Sequence, residues 1–197
     1  MKIKQLLTEQ SIFIRWISFG SYGLAIGFLV ALLIQVISVF LIENGLHIID
    51  SPVWGAVPSV ISGFMLGAFI GTFQSISLKH QVVHPFLWIL ASGLGLAVGV
   101  PCVYNNFWPE TFWGGLAMGA ILGLALGFTQ WLVLRLKVNK SGLWIPASVV
   151  GAVLGAMATI FLVGLGDIFS SMGIFIIQAL VLILSFSLFP LLIGLFL

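Results

Sequence analysis

The sequence predicts an all-α integral membrane protein, a bundle of six transmembrane helices built from helical-hairpin repeats. Composition is the first reason: 61% of the 197 residues are hydrophobic and 6% are charged, whereas charged residues form about a quarter of a soluble domain. Length is the second, because the apolar residues fall into six runs of about 20 residues, enough for a helix to cross a bilayer. The runs lack the alternating pattern of a membrane barrel, so helices are the expected spanning structures.

The six runs define a single transmembrane domain, residues 13–197, after a short amphipathic lead at residues 1–12. We expect the lead to lie at the cytoplasmic surface. Because Glu9 and Arg15 interrupt the pattern of a cleaved signal, the first span is predicted to be an uncleaved helix. The predicted spans cover about residues 17–41, 57–78, 86–103, 112–134, 143–165 and 172–197.

The basic residues indicate the orientation of these spans. All seven Lys and Arg residues precede the first span or lie in the second and fourth connections between spans: Lys2, Lys4, Arg15, Lys79, Arg135, Lys137 and Lys140. The other connections carry only acidic charges: Glu43, Asp50, Glu110 and Asp167. Cytoplasmic loops of membrane proteins hold the excess of Lys and Arg, so both termini are predicted to be cytoplasmic.

An internal repeat suggests how the helices are arranged. Residues 63–99 align with residues 119–155 without a gap, at a constant offset of 56. The matches include several glycines, a glutamine and a tryptophan in each copy, and the first span repeats the Trp-Ile and glycine pattern of the third and fifth. The simplest architecture is three helical hairpins related by an axis along the membrane normal. The sixth span matches only at Gln178 and Leu182 and is a degenerate or unrelated partner.

The repeated glycines predict surfaces where helices pack closely. In the second span, Gly63, Gly67 and Gly71 fall within about 80° of one another on a helix of 100° per residue. Small residues spaced four apart let helix backbones approach each other in lipid. The predicted packing positions are Gly63, Gly67, Gly71, Gly95, Gly99, Gly119, Gly123, Gly127, Gly151 and Gly155. A glycine-lined crevice that admits a ligand or a partner helix is the alternative, although packing within the chain is favoured.

Two glutamines predict polar contacts inside the hairpins. Gln74 and Gln130 each precede a basic residue by five positions, about 7.5 Å of helix. An amide inside the membrane needs hydrogen-bond partners, and the next span begins in each case with an indole N–H donor. We therefore predict contacts between Gln74 and Trp88 and between Gln130 and Trp144, by hydrogen bond or close packing. A polar path lined by the glutamines is the alternative, but a structural role is favoured.

The outward-facing connections contain a candidate ligand site. Its residues are polar or aromatic: His47, Asn105, Asn106, Trp108 and Glu110. Such side chains are able to bind a small polar ligand. Aromatic residues are also common at the headgroup level of the bilayer, and this interpretation is favoured.

The sequence contains little of the chemistry that catalysis requires. No ionisable residue falls in the middle third of any span, where pumps and proton relays place such groups. His80 and His84 are four residues apart, but Pro85 disfavours a helix at His84, and a solvated loop is favoured over a metal site. The single Cys102 excludes an internal disulfide. We predict no catalytic residue, no cofactor and no metal.

A resemblance to known proteins rests on the second copy of the repeat. Its residues read Gly123-x3-Gly127-x2-Gln130-Trp131-Leu132-Val133-Leu134-Arg135 and then Trp144-Ile145. This block resembles a group of uncharacterised bacterial multi-spanning proteins, common in cyanobacteria, and the likeness covers residues 63–155. The first copy departs from the block at Ser75, where Trp is usual, and at Lys79, where Arg is usual. The resemblance implies the bacterial cytoplasmic membrane and carries over no activity.

The size and the six-span layout are also similar to the substrate-binding components of energy-coupling factor transporters. That likeness implies an outward vitamin site under the outer loops and a first helix that docks a partner. Our first hypothesis is a non-catalytic assembly or interaction subunit that works through glycine-rich helix packing. Its partners are the lipid bilayer and another membrane protein or a second copy, and no nucleic acid. The alternative is a component that binds or transports a small solute, which predicts an outward cavity of several hundred Å³.

Overall fold

A computed structural model describes residues 2–43, 52–77, 84–106, 111–138 and 141–166. The helices are α1 (Lys2–Glu43), α2 (Pro52–Ser77), α3 (Pro85–Asn106), α4 (Phe112–Leu134) and α5 (Trp144–Gly166), with a short 3-10 helix, Ser141–Leu143, before α5. No strand occurs in these ranges, and the prediction of an all-helical fold is confirmed there. The sixth predicted span, residues 172–197, lies outside the described residues.

Each of the five helices is long and apolar enough to cross a membrane. The stretches that meet both requirements are Ser18–Leu41, Ala56–Ile76, Pro85–Val103, Phe112–Leu134 and Ser141–Ala158. They correspond to the first five predicted spans. In the described part of the chain, the protein therefore has the features of a multi-pass helical membrane protein.

The first helix is much longer than its membrane span. α1 contains 42 residues, which is about 63 Å at a rise of 1.5 Å per residue. The hydrocarbon core of a bilayer is about 30 Å thick. The lead predicted at residues 1–12 is, from Lys2 on, part of the same helix as the first span.

Local sequence explains where two helices begin. α3 begins at Pro85, directly after His84, because a proline disfavours helical backbone in the residue before it. Thr111 caps α4: its backbone is extended, with φ −102° and ψ 149°, and its Oγ1 accepts a hydrogen bond from the N–H of Gly114 at 2.9 Å. This cap satisfies one of the N–H groups that a helix leaves unpaired at its start.

The third span ends at Val103, as predicted, but the helix that contains it is longer than the span. α3 continues to Asn106, past the predicted end at Val103, so Asn105 and Asn106 are the last residues of a helix rather than part of the outer loop. Pro101 lies inside α3. Hydropathy marks only the apolar part of a helix, so it does not report a polar last turn.

Helices that are neighbours in sequence pack against each other, from α1 to α5 in order. Leu24, Ile70, Leu96 and Leu126 form a buried cluster to which each of the first four helices contributes one residue. A second buried cluster contains Trp88, Ala91 and Val133. Large apolar side chains such as Leu29, Val98 and Trp113 are more than half exposed, as expected of a surface that faces lipid.

Candidate functional site

The glycines of α2 form the contact with α3. A methyl group added at Gly67 would overlap the carbonyl oxygen of Ser92, and one added at Gly71 would lie 2.9 Å from Cα of Ile89. Gly63 makes a similar approach to the backbone of Leu96. Cβ atoms do not come this close to backbone atoms. The two helices therefore reach their observed distance only because the residues at these positions are glycines, whose side chain is a hydrogen atom.

The glycines of α4 form the equivalent contact with α5. Added methyl groups would lie 2.5 Å from Cα of Val153 at Gly119, and 2.6 Å from the carbonyl oxygen of Ser148 at Gly123. At Gly127, an added methyl would lie 2.6 Å from Cβ of Ser148. These contacts fall 56 residues after those of Gly63, Gly67 and Gly71 and involve matching partners on the next helix.

The remaining predicted glycines lie on α3 and α5. A methyl at Gly95 would lie 2.9 Å from the carbonyl oxygen of Ala125 on α4, and one at Gly99 would lie 3.1 Å from Cδ2 of Leu122. Gly151 and Gly155 are buried on α5. Of the ten predicted glycines, the eight on α2, α3 and α4 therefore contact neighbouring helices of the same chain.

Both predicted pairs of glutamine and tryptophan are in hydrogen-bond contact. The indole N–H of Trp88 donates to Oε1 of Gln74 at 3.2 Å, and that of Trp144 donates to Oε1 of Gln130 at 2.9 Å. Trp88 is 0% exposed, Gln74 is 2% and Gln130 is 1%. Each bond joins the end of one helix to the start of the next, which fixes the pairing within a hairpin.

The structure also joins the two pairs to each other, a link that the sequence reasoning missed. The amide nitrogen of Gln130 donates to Oε1 of Gln74 at 3.2 Å and to Oγ of Ser92 at 2.9 Å. The rings of Trp88 and Trp144 meet edge to face, with centroids 5.6 Å apart. The equal positions of the two glutamines in the repeat are the one sequence signal that points to this link. We call Gln74, Trp88, Ser92, Gln130 and Trp144 the glutamine ladder.

A cavity of about 150 Å³ lies beside the glutamine ladder, between the five helices that the structure describes. Most of its wall is apolar: Leu24, Leu66, Ile70, Leu96, Val100, Met118, Leu122, Leu126, Ala152 and Ala156, together with three glycines. Its polar wall consists of Gln74, Gln130 and Ser148. The cavity is thus an apolar space with neutral hydrogen-bonding groups on one side.

Of the predicted outer ligand site, the structure describes the backbone of Asn105 and Asn106, which end α3. His47, Trp108 and Glu110 lie outside the described residues. The cavity is smaller than the several hundred Å³ expected of an outward vitamin site.

Three described residues with reactive or charged side chains are not among those that line the cavity: His84, Cys102 and Arg135. His84 is exposed just before α3, and Cys102 is exposed near the end of that helix. The guanidinium carbon of Arg135 lies 5.3 Å from the centre of the Trp131 ring at the end of α4. Among the residues that the structure describes, no three His, Cys, Asp or Glu side chains are grouped to hold a metal ion.

The fold and the site together define a class of protein: a helical, multi-pass membrane protein with a neutral hydrogen-bonded core and an apolar cavity beside it. Comparison with protein-family models, with curated proteins and with solved structures gives no match for this chain. The resemblance to bacterial multi-spanning proteins therefore stays a prediction from the repeat block.

Proposed function

We propose that this chain is a non-catalytic multi-pass protein of the bacterial cytoplasmic membrane that binds a small, mostly apolar molecule between its helices. The observation that carries the proposal is the cavity of about 150 Å³ lined by residues of α1 to α5. Apolar cavities of about this size in other proteins bind benzene or xenon. A ligand of six or seven heavy atoms, or one end of a longer molecule, fits this space.

The energetic cost of an empty cavity supports an occupant. Core substitutions in a soluble protein lose about 24 cal/mol for each Å³ of cavity. On that scale a volume of about 150 Å³ corresponds to roughly 3.6 kcal/mol. An apolar ligand that fills the space regains part of this free energy, so the site favours molecules that match its volume over water.

The assembly role that the sequence favours is the second candidate function, because the glycines already contact helices of their own chain. That role needs a glycine face that is free to accept a helix of another protein. The glycines of α2, α3 and α4 instead contact helices of their own chain, for example Gly67 with Ser92 and Gly123 with Ser148. A partner protein or a second copy is therefore not needed to account for these surfaces, and the lipid bilayer is the partner that the proposal requires.

The proposal includes six spans with both termini in the cytoplasm. His84 lies where α3 begins, and Arg135 and Lys137 follow the end of α4, so these groups share one end of the α3–α4 hairpin. Thr111 lies at the opposite end, where α4 begins. The positive-inside rule assigns the end with the basic residues to the cytoplasm.

Filling the cavity tests the binding function. Ala156 is 7% exposed and lines the cavity, so Ala156→Leu places three further carbon atoms in that space. Ala25 on α1 is exposed, and Ala25→Leu is the matched control for the same chemical change. The probe is fluorobenzene, followed by ¹⁹F NMR with the protein in lipid nanodiscs.

We expect saturable binding of fluorobenzene to the unchanged protein and to Ala25→Leu, above its partition into the lipid of empty nanodiscs. Ala156→Leu should lose this binding, because the added side chain occupies the same volume. Signals that never saturate with the unchanged protein, or equal saturation with both variants, would contradict the proposal.

A further inference from the structure

The side-chain amide of Gln74 is only partly satisfied by its surroundings. Its oxygen accepts two hydrogen bonds, from the indole N–H of Trp88 and from the amide nitrogen of Gln130, both at 3.2 Å. Its nitrogen has no hydrogen-bond partner among the residues that the structure describes. The side chain is 2% exposed and forms part of the cavity wall. Two buried N–H donors at a cavity are a costly arrangement unless something accepts from them.

Rotating the Gln74 amide by 180° does not remove the unpaired donors. A reversed Gln74 amide would place its nitrogen against two donors, the indole of Trp88 and the amide nitrogen of Gln130. Gln130 cannot reverse either, because its own oxygen accepts from the indole of Trp144. The two tryptophans, which have only a donor to offer, therefore fix both amide orientations.

The other polar side chains of the cavity wall already donate their hydrogen atoms to groups of the protein. Gln130 donates one N–H to Gln74 and one to Oγ of Ser92. Ser148 donates its hydroxyl hydrogen to the carbonyl oxygen of Trp144 at 2.8 Å. Among the side chains described in the wall, Gln74 is thus the one with N–H groups to offer.

We infer that Gln74 recognises the ligand by donating a hydrogen bond to an oxygen atom on an apolar body, such as a ketone, ester or ether. This inference rests on the proposed function, because it names the chemistry of a molecule bound in the same cavity. An acceptor oxygen satisfies a buried donor that a hydrocarbon leaves unpaired. Sites built to hydrogen-bond a polar group reject analogues that lack it, because their own groups then stay unpaired.

A matched pair of probes tests the inference. Cyclohexanone and methylcyclohexane have the same ring and the same number of heavy atoms, and differ in the acceptor oxygen. Their affinities for the protein in nanodiscs are compared as mole fractions in the lipid, since both dissolve in the bilayer. We expect the unchanged protein to prefer cyclohexanone by about tenfold, the value that one hydrogen bond of about 1.4 kcal/mol provides.

Two variants identify the residue responsible. Gln74→Met removes the donor with little change in length and should abolish the preference for cyclohexanone. Gln35→Met is the matched control: Gln35 donates to Oγ of Ser62 at 3.1 Å and is not part of the cavity wall, so the preference should survive. A preference that also survives in Gln74→Met overturns the inference.

A spectroscopic measurement covers the case in which Gln74→Met does not fold. Cyclohexanone labelled with ¹³C at the carbonyl is bound to the unchanged protein, and we expect a downfield shift of the carbonyl signal relative to the lipid-dissolved probe. The absence of a shift in the bound probe overturns the inference. If both probes bind equally well, the inference fails and the proposed function stands. If neither binds saturably, so that the cavity holds only water or lipid, the proposed function fails.

Discussion

The amide nitrogen of Gln130 donates a hydrogen bond to the amide oxygen of Gln74 at 3.2 Å, across 56 positions of sequence. Each glutamine also accepts from a tryptophan of its own hairpin, Trp88 or Trp144. The glutamine ladder is therefore continuous from α2 to α5 and joins the α2–α3 hairpin to the α4–α5 hairpin. The two hairpins are tied by polar side chains as well as by the packing of α3 on α4.

This link predicts that substitutions at the two glutamines are not additive. Gln74→Met and Gln130→Met each break the bond between them, so the double variant should lose less stability than the sum of the two single variants. We expect a coupling of about 0.5 to 1.5 kcal/mol, the range for one buried hydrogen bond in a membrane bundle. The measurement is the free energy of unfolding of the four proteins, titrated with a denaturing detergent in mixed micelles.

Gln35 supplies the control for this comparison of single and double variants, which is a double-mutant cycle. Its hydrogen bond to Ser62 joins α1 to α2, away from the bond between Gln74 and Gln130. Gln35→Met combined with Gln130→Met should be additive, because the two residues share no partner. Additive losses in both cycles would mean that the two hairpins are not coupled through the glutamines.

A second prediction concerns the indole of Trp88. Trp88→Phe removes the donor to Gln74 and leaves space in a fully buried site, since Trp88 is 0% exposed. We expect a loss of about 1 to 3 kcal/mol in the free energy of unfolding. Trp131→Phe is the matched control, because Trp131 is half-buried and lies under Arg135 at 5.3 Å.

The control variant should lose less than about 1 kcal/mol, the size of an exposed cation–π contact. Both proteins are compared by thermal unfolding in the same detergent. Equal losses at the two tryptophans would show that the position in the glutamine ladder has no special effect on stability.

A third prediction follows from the close approach of α2 and α3. Gly67→Ala puts a methyl group against the backbone of Ser92, where no side-chain rotation relieves the contact, so the helices must move apart. We expect a loss of about 1 to 3 kcal/mol, the usual cost of overpacking. Gly20→Ala on α1 is the control, since a methyl there meets nothing within 4 Å. It should be neutral or stabilising by up to about 1 kcal/mol, because alanine is the better helix former.

The equivalent position in the second hairpin extends this prediction. A methyl at Gly123 would lie 2.6 Å from the carbonyl oxygen of Ser148, so Gly123→Ala should cost about as much as Gly67→Ala. The readout is again the free energy of unfolding in mixed micelles. Tolerance of alanine at Gly67 and Gly123, with no difference from Gly20, would contradict the packing described here.

Much of the helix layout follows from sequence, because each span is an apolar run of bilayer length and needs no information about its neighbours. The pairing of Gln74 with Trp88 is also accessible, since both lie at the same depth on consecutive helices joined by a short connection. The link from Gln130 to Gln74 depends on how closely α2 and α4 approach in three dimensions, which a periodic pattern does not report. The cavity escapes sequence reasoning for the same reason, as its walls come from all five described helices.

The end of α3 shows a different limit. Asn105 and Asn106 are polar, so a hydropathy pattern ends the span at Val103, yet the backbone keeps helical hydrogen bonds to Asn106. Polar residues at the bilayer surface satisfy their side chains with water and do not need to leave the helix. The membrane span therefore ends at Val103 as predicted, whereas the helix itself continues to Asn106.

A fourth prediction tests the orientation in the membrane. In a Cys102→Ser background, single cysteines are introduced as His84→Cys, Lys137→Cys and Thr111→Cys, all at exposed positions. His84 and Lys137 share the end of the α3–α4 hairpin at which the basic residues lie, and Thr111 marks the opposite end.

Because basic residues stay on the cytoplasmic side, a maleimide that cannot cross the membrane should label Thr111→Cys in intact spheroplasts. The other two variants should react only after the membrane is opened. Labelling of His84→Cys in intact spheroplasts would reverse the orientation, and labelling of only one of His84→Cys and Lys137→Cys would contradict the hairpin arrangement itself.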